Sequence, residues 1–240
     1  MRARRWNNYV AFQADNNPNA GADHVRFKLS KSGDSVGLFS SGGTLVTAVT
    51  FGSQRADVSQ GHFPDGSTNL MNFPGTASTG APNYLALPDV VINEVLTHSD
   101  PPLEDAIEFY NSGARDVDLG GWFLSNSPQD PKKYRVPDGT RISPGGYVVL
   151  YENQFNSSSD GAATPFTFNS AHGDSAILSA TDARGDLTGY RAVAVFGPAA
   201  NGVSFGRHTN SVSRIDYVPL ASHTFGVDQP ARRAPARCQR

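Results

Sequence analysis

Residues 105–126 read DAIEFYNSGARDVDLGGWFLSN, two apolar runs separated by turn residues. In AIEFYN, Ile107 and Phe109 alternate with Glu108, the period of a strand with one face in a core. Glu108 is then expected on the opposite face, where a solvated antiparallel sheet places charge. Trp122 opens the second run with Leu124 two residues on, which predicts a tryptophan buried in the same core. The stretch is thus read as the inner face of a β-sandwich, and the alternative is a lining for a chemical site.

The rest of the chain favours the sandwich. Its 240 residues are 38% hydrophobic, enough for a core, and its 24 glycines and 16 prolines are spread rather than clustered, which favours many short strands. VVINEVL (90–96), GYVVLYE (146–152), SAILSA (175–180) and YRAVAVFG (190–197) are β-branched or aromatic runs bounded by NSG, PDG, PGG and HGD. No useful length of chain has helical spacing. Antiparallel sheets packed face to face follow.

The chain also resembles itself. YVAFQAD (9–15) matches YVVLYEN (147–153), FKLSKSGDSVGL (27–38) matches FTFNSAHGDSAIL (166–178) with one inserted residue, and TFGSQRADVSQG (50–61) matches VFGPAANGVSFG (195–206). The three blocks keep their order, as repeats do. Nothing upstream matches 90–146, so the expected organisation is the C-terminal half of one module in residues 1–84, a linker at 85–88, a complete module at 89–229 and a basic disordered tail at 230–240. The half module is expected to show unpaired strand edges and uncovered apolar faces, YVAF and LVTAVTF among them.

INEV (92–95), DAIEFYN (105–111), DLGGWFLSN (118–126) and ISPGGYVVL (142–150) occur in an order that resembles the lamin tail domain family. The family's usual ending is matched by DVSQGHFPDG (57–66) with STGAPN (78–83), and more loosely by GVSFGRHTNS (202–211) with HTFG (223–226). Ala106 stands where the family usually has Trp. The resemblance implies an immunoglobulin-like, all-β antiparallel sandwich in a larger secreted, extracellular or cell-surface protein, acting as a non-catalytic adhesive or spacer module. Its partners would be neighbouring domains and a protein or surface-polymer ligand. A second possibility is an accessory part of a secreted hydrolase or nuclease.

Several residues are of types that could carry chemistry. GDSVG at 33–37 has the spacing of a nucleophile elbow, but LFSSGGTL after it cannot form the required helix and the matching GDSAI has Ile177 in place of glycine. A tight turn feeding a strand accounts for both. Glu94, Asp105 and Glu108 could converge as an acidic cluster able to bind Ca²⁺, against a plainer reading as outward or turn-binding carboxylates. His24, His62, His98, His172, His208 and His223 show no metal-ligand spacing, and His62 and His98 are expected in loops. Asn156 begins the one glycosylation sequon and is read as part of a polar loop. No catalytic, cofactor-binding or metal-ligating residue is assigned, and no cofactor is expected.

Charge points the same way. Net charge is −2, yet Arg2, Arg4, Arg5, Arg232, Arg233, Arg237 and Arg240 crowd the two ends and leave an acidic body between them. Nucleic acid is therefore not expected as a partner, except through the arginine tails. The single cysteine, Cys238, cannot form an internal disulfide. No run reaches the ~18 apolar residues of a membrane span, and the N-terminal arginines lack the apolar stretch of a signal peptide.

Overall fold

The computed structural model describes the backbone of residues 5–6 and residues 9–157 and 162–226. The terminal arginines other than Arg5, the tail at 230–240 and Cys238 lie outside the described residues, as does the side chain of Trp6. The chain divides into two compact units, Met1–Ala86 and Leu87–Arg240.

The second unit is an immunoglobulin-like antiparallel β-sandwich. Its strands are β8 (Val90–Leu96), β9 (Ala106–Asn111), β10 (Val117–Asp118), β11 (Phe123–Ser125), β12 (Tyr134–Arg135), β13 (Arg141–Ile142), β14 (Tyr147–Tyr151), β15 (Asp174–Thr181), β16 (Leu187–Phe196), β17 (Ser204–Thr209) and β18 (Ile215–Pro219). One sheet runs β14-β9-β8-β17-β18; the other contains β12-β11-β15-β16. Between them Ile92, Val95, Ile107 and Phe109 of the first meet Leu124, Ala176, Leu178 and Phe196 of the second in one buried cluster. Phe155, Phe166, Phe168, Phe196 and Phe205 continue it as a chain of rings with successive centroids 5.1 to 5.7 Å apart. Such contacts add to the stabilisation from burying large apolar side chains.

Three local features differ from the sequence expectation. A single helical turn, α1 (Glu152–Phe155), follows β14 directly. It rotates Phe155 into the core, and the Gln154 side chain accepts the Tyr151 N–H to close its start. Trp122 precedes β11 and is only partly buried: it packs against the core and lines a shallow hollow of 410 Å³ with Val117 and Tyr190. In β8 a register shift falls between Ile92 and Glu94. This bulge turns both Asn93 and Glu94 to the outer face while Ile92 and Val95 stay inside. The Tyr217 hydroxyl donates to the Ile92 carbonyl at the bulge, and burial raises its pKa.

The first unit contains β1 (Arg5–Trp6), β2 (Tyr9–Val10), β3 (Asp34–Phe39), β4 (Leu45–Phe51), β5 (Val58–His62), β6 (Leu70–Pro74) and β7 (Leu85–Ala86). Its described sheets are two-stranded: β1-β2, β3-β4 and β5-β6. Phe12 is 57% exposed, Leu38 55% and Phe39 59%, so apolar faces lie uncovered. Phe73, at 1%, is the buried exception. The β3-β4 ladder sets Asp34 opposite Phe51 and Val36 opposite Val49; the β15-β16 ladder sets Asp174 opposite Phe196 and Ala176 opposite Ala194.

Candidate functional site

The residues flagged for chemistry are mostly absorbed by backbone geometry. Ser35 lies on β3 with its hydroxyl 2.8 Å from that of Thr50, and a strand, not a helix, follows it. Asp34 accepts the Ser35 N–H at 2.9 Å and the Ser30 N–H at 3.3 Å, fastening the turn that starts the strand. Asp174 accepts the Ser175 N–H at 2.8 Å and the Asn169 N–H at 3.0 Å in the same manner. Glycine precedes each aspartate, with φ of 118° at Gly33 and 83° at Gly173. A Cβ at Gly33 would lie 2.8 Å from the Phe51 carbonyl oxygen. Both the left-handed backbone and the close strand therefore call for glycine.

The histidines stay apart. His24 Nδ1 lies 2.6 Å from Asp15, and His98 Nδ1 is 3.0 Å from the Ala199 carbonyl. His62 closes β5 instead of lying in a loop, and its Nδ1 is buried with no hydrogen-bond partner among the described residues. Among the described residues no group of three or more His, Cys, Asp or Glu side chains is placed to hold a metal ion.

The acidic residues overturn the expectation of a solvated outer face. Glu94 and Glu108 are opposite each other across β8 and β9, and both are 0% exposed. Like charges so placed repel. They are held by donors from a segment that roofs this face. Glu94 accepts the Thr224 N–H at 3.0 Å on each oxygen, the Thr224 hydroxyl at 2.6 Å and the Ser204 hydroxyl at 2.5 Å. Glu108 accepts the Asn93 side-chain amide at 2.7 Å and the Gly226 N–H. Burial pushes the Glu108 carboxyl above its ordinary value, and the nearby Glu94 adds to this, while the two hydrogen bonds pull the other way. Gly226, at φ 79°, ends the turn that brings these donors round.

Asp105 is buried but separate from this pair. It accepts the Ser99 hydroxyl at 2.8 Å, and burial with the Glu152 charge raises its pKa. Asn111 is another buried polar residue, unremarked in the sequence: its amide donates to the Arg115 and Ile142 carbonyls at 2.7 and 2.9 Å, and its oxygen accepts the Gly113 N–H. It fixes the turn between the two runs of the opening stretch. No signal marks Thr224 and Ser204 as carboxylate partners except the TFG and VSFG strings in which they sit.

The first unit contains a cleft of about 810 Å³. Leu29, Val49, Phe51, Ser59, Gly61 and Ser78 are among the residues that line it. Beside it Asn83 donates its amide to the His62 carbonyl at 2.9 Å and accepts the Ser78 hydroxyl at 2.8 Å. Asp65 accepts the Asn83 N–H at 3.0 Å and the Tyr9 hydroxyl at 2.7 Å.

A sandwich whose strand motifs point inward and whose buried acids grip its own C-terminal segment is what remains. Residues 85–196 match the family model of the Lamin Tail Domain. Lamin tail domains are immunoglobulin-like and generally serve as non-catalytic binding or structural units. The matched stretch runs from β7 to the end of β16 and so includes INEV, AIEFYN and the strands they face. The lamin-tail match ends before β17, β18 and the Thr224–Gly226 segment. No curated protein and no solved structure matches the chain.

Proposed function

We propose that this chain is a non-catalytic adhesive or spacer β-sandwich of lamin-tail type, working beside neighbouring domains of a larger extracellular or cell-surface protein. The observation that carries this reading is the use made of Glu94 and Glu108: the two most buried acids spend their hydrogen-bonding capacity on the fold's own backbone and hydroxyl groups. Carboxylates engaged in this way brace the scaffold that carries them.

On this reading residues 9–84 are a second, half-built copy of the same module. The matching ladders of β3-β4 and β15-β16 support it, as do the paired glycines Gly33 and Gly173. Function then resides in loops and faces that a rigid sandwich displays.

The placement is tested on intact cells that make the whole protein, by labelling with a membrane-impermeant amine reagent. Lys28, Lys31 and Lys132 are exposed and should be modified without lysis. Modification that needs lysis refutes the surface assignment.

A further inference from the structure

We infer that Asn126 and Lys133 are the two ends of an intramolecular amide cross-link, formed in the folded chain with Asp174 as its acid–base group. Three side chains of the second unit carry it, independent of the surface placement proposed above.

Asn126 directly follows β11 and Lys133 directly precedes β12. These strands pair antiparallel, with Leu124 opposite Tyr134, so the loop between them returns Lys133 to the side of Asn126. The Lys133 amine donates to Asn126 Oδ1 at 2.6 Å. The Asn126 nitrogen donates to the Thr167 carbonyl at 3.1 Å and to Asp174 Oδ2 at 3.2 Å, which uses both of its hydrogens. The amide plane is thereby fixed, with its oxygen toward the lysine and its leaving nitrogen on a carboxylate. The Lys133 nitrogen also lies 5.5 Å from the centroid of the Phe166 ring, and Phe166 is buried. That ring screens one side of the pair from water.

Bracing the loop does not call for this set. Asp34 fastens the similar turn of the first unit through the backbone N–H groups of Ser30 and Ser35. Asp174 does the same with Asn169 and Ser175, and reaches the Asn126 amide besides. Lys132 shows an anchoring amine, which donates to the Gly185 carbonyl and lies over the Phe123 ring. Lys133 instead faces a side-chain amide whose nitrogen touches an acid.

The chemistry balances within the chain. The Lys133 ammonium first loses one proton to water. Its lone pair then adds to Asn126 Cγ, forming the new C–N bond. Asp174 in its acid form hands a proton to Nδ2 as the old C–N bond breaks, and the surplus proton on Nζ restores the acid. Ammonia departs and takes up the proton first lost. An ammonium and an amide thus become an amide and an ammonium, with no oxidant, metal or water consumed. Contact between the amine and the fixed amide supplies the effective concentration for the exchange. The product ties β12, at one end of the second sheet's strand order, to β11 by a bond that unfolding does not break.

The test is intact-mass spectrometry, in denaturant, of the full chain after it has been folded and aged in mildly alkaline buffer. A mass one ammonia below that of the sequence is expected. Trypsin should then release peptide 116–132 joined through Asn126 to peptide 133–135. Lys133→Arg should restore the full mass, and Asp174→Asn should slow the loss at least about tenfold, as removal of an acid–base group does. Wild-type chain kept in urea throughout should retain the full mass. Full mass in the folded, aged wild type overturns the inference. So does ammonia loss that persists in Lys133→Arg, the mark of an asparagine cyclising on its own backbone, and so does an unslowed loss in Asp174→Asn. The joined peptide is read on the wild type, so the test holds even where a variant fails to fold.

Discussion

Leu29 and Phe168 occupy matching places in two similar stretches of sequence, yet Leu29 is 45% exposed and Phe168 only 4%. The local instructions agree: each precedes a glycine-aspartate turn and a strand pair of the same register. What differs is the opposing layer. In the second unit β8 and β9 put Ile92, Val95, Ile107 and Phe109 into the shared core. In the first unit, strand-forming residues leave their apolar side chains uncovered. Strand formation and core formation are thus separable: turn chemistry and β-propensity suffice for the hairpin, while stabilisation of the kind that holds a domain needs a second sheet.

Truncation at these two positions measures that difference most directly. Phe168→Ala should cost the second unit about 4 kcal/mol, through lost burial and the cavity left behind. Leu29→Ala should change stability by less than about 0.5 kcal/mol, as exposed substitutions do. Urea unfolding followed by Trp122 fluorescence, in a chain with Trp6→Phe so that one tryptophan remains, reads the first effect. Exchange of the β3-β4 amides reads the second. Comparable losses at both sites would mean that the first unit has a core like that of the second.

A smaller effect is expected where the second unit's roof is fastened. Glu94→Gln should cost about 3 kcal/mol, because the Thr224 and Ser204 donors then face a neutral amide whose own NH2 competes with them. Thr224→Ala should cost about 1.5 kcal/mol, since one charge-assisted bond goes and the Thr224 N–H bonds persist. The corresponding Ser78→Ala loses one part-buried neutral bond to Asn83 and should stay within about 1 kcal/mol. Urea midpoints of the three variants rank these costs; a Ser78→Ala loss as large as that of Glu94→Gln would break the comparison.

Strand positions were legible because alternation and turn residues are local. AIEFYN, SAILSA and YRAVAVF lie in β9, β15 and β16 as their pattern indicates. The environment of Glu108 was not legible, because period-two alternation says which face a side chain takes and is silent on what covers that face. Its cover comes from Gly226, 118 residues later in the chain. Trp122 departs from its sequence pattern for a related reason: it packs against the core but stands just before β11, at the sandwich's margin. The Glu152–Phe155 turn is too short for any helical period to register. Nearby aspartates point to a loop at His62, whereas pairing with Leu70 extends β5 to include it.

The smallest effect concerns pH and separates the charge of Glu108 from its shape. Burial raises the folded-state pKa of this group above its ordinary value of 4.5. Between the two values the folded chain holds a proton that the unfolded chain has released, so rising pH favours unfolding. The protonated acid's contribution is fully present below 4.5 and is lost as pH climbs through the raised folded value. Glu108→Gln cannot titrate. It carries a fixed cost, because one of the Asn93 and Gly226 donors loses its acceptor, but that cost is independent of pH. The wild-type chain should therefore lose stability relative to Glu108→Gln as pH is raised from 4 toward neutrality, with melting temperatures of both proteins taken on the same buffers. A gap that widens in the opposite sense would mean that the Asn93 and Gly226 hydrogen bonds outweigh burial, and that the roof over β8 and β9 is tight enough to make a carboxylate welcome where water is excluded.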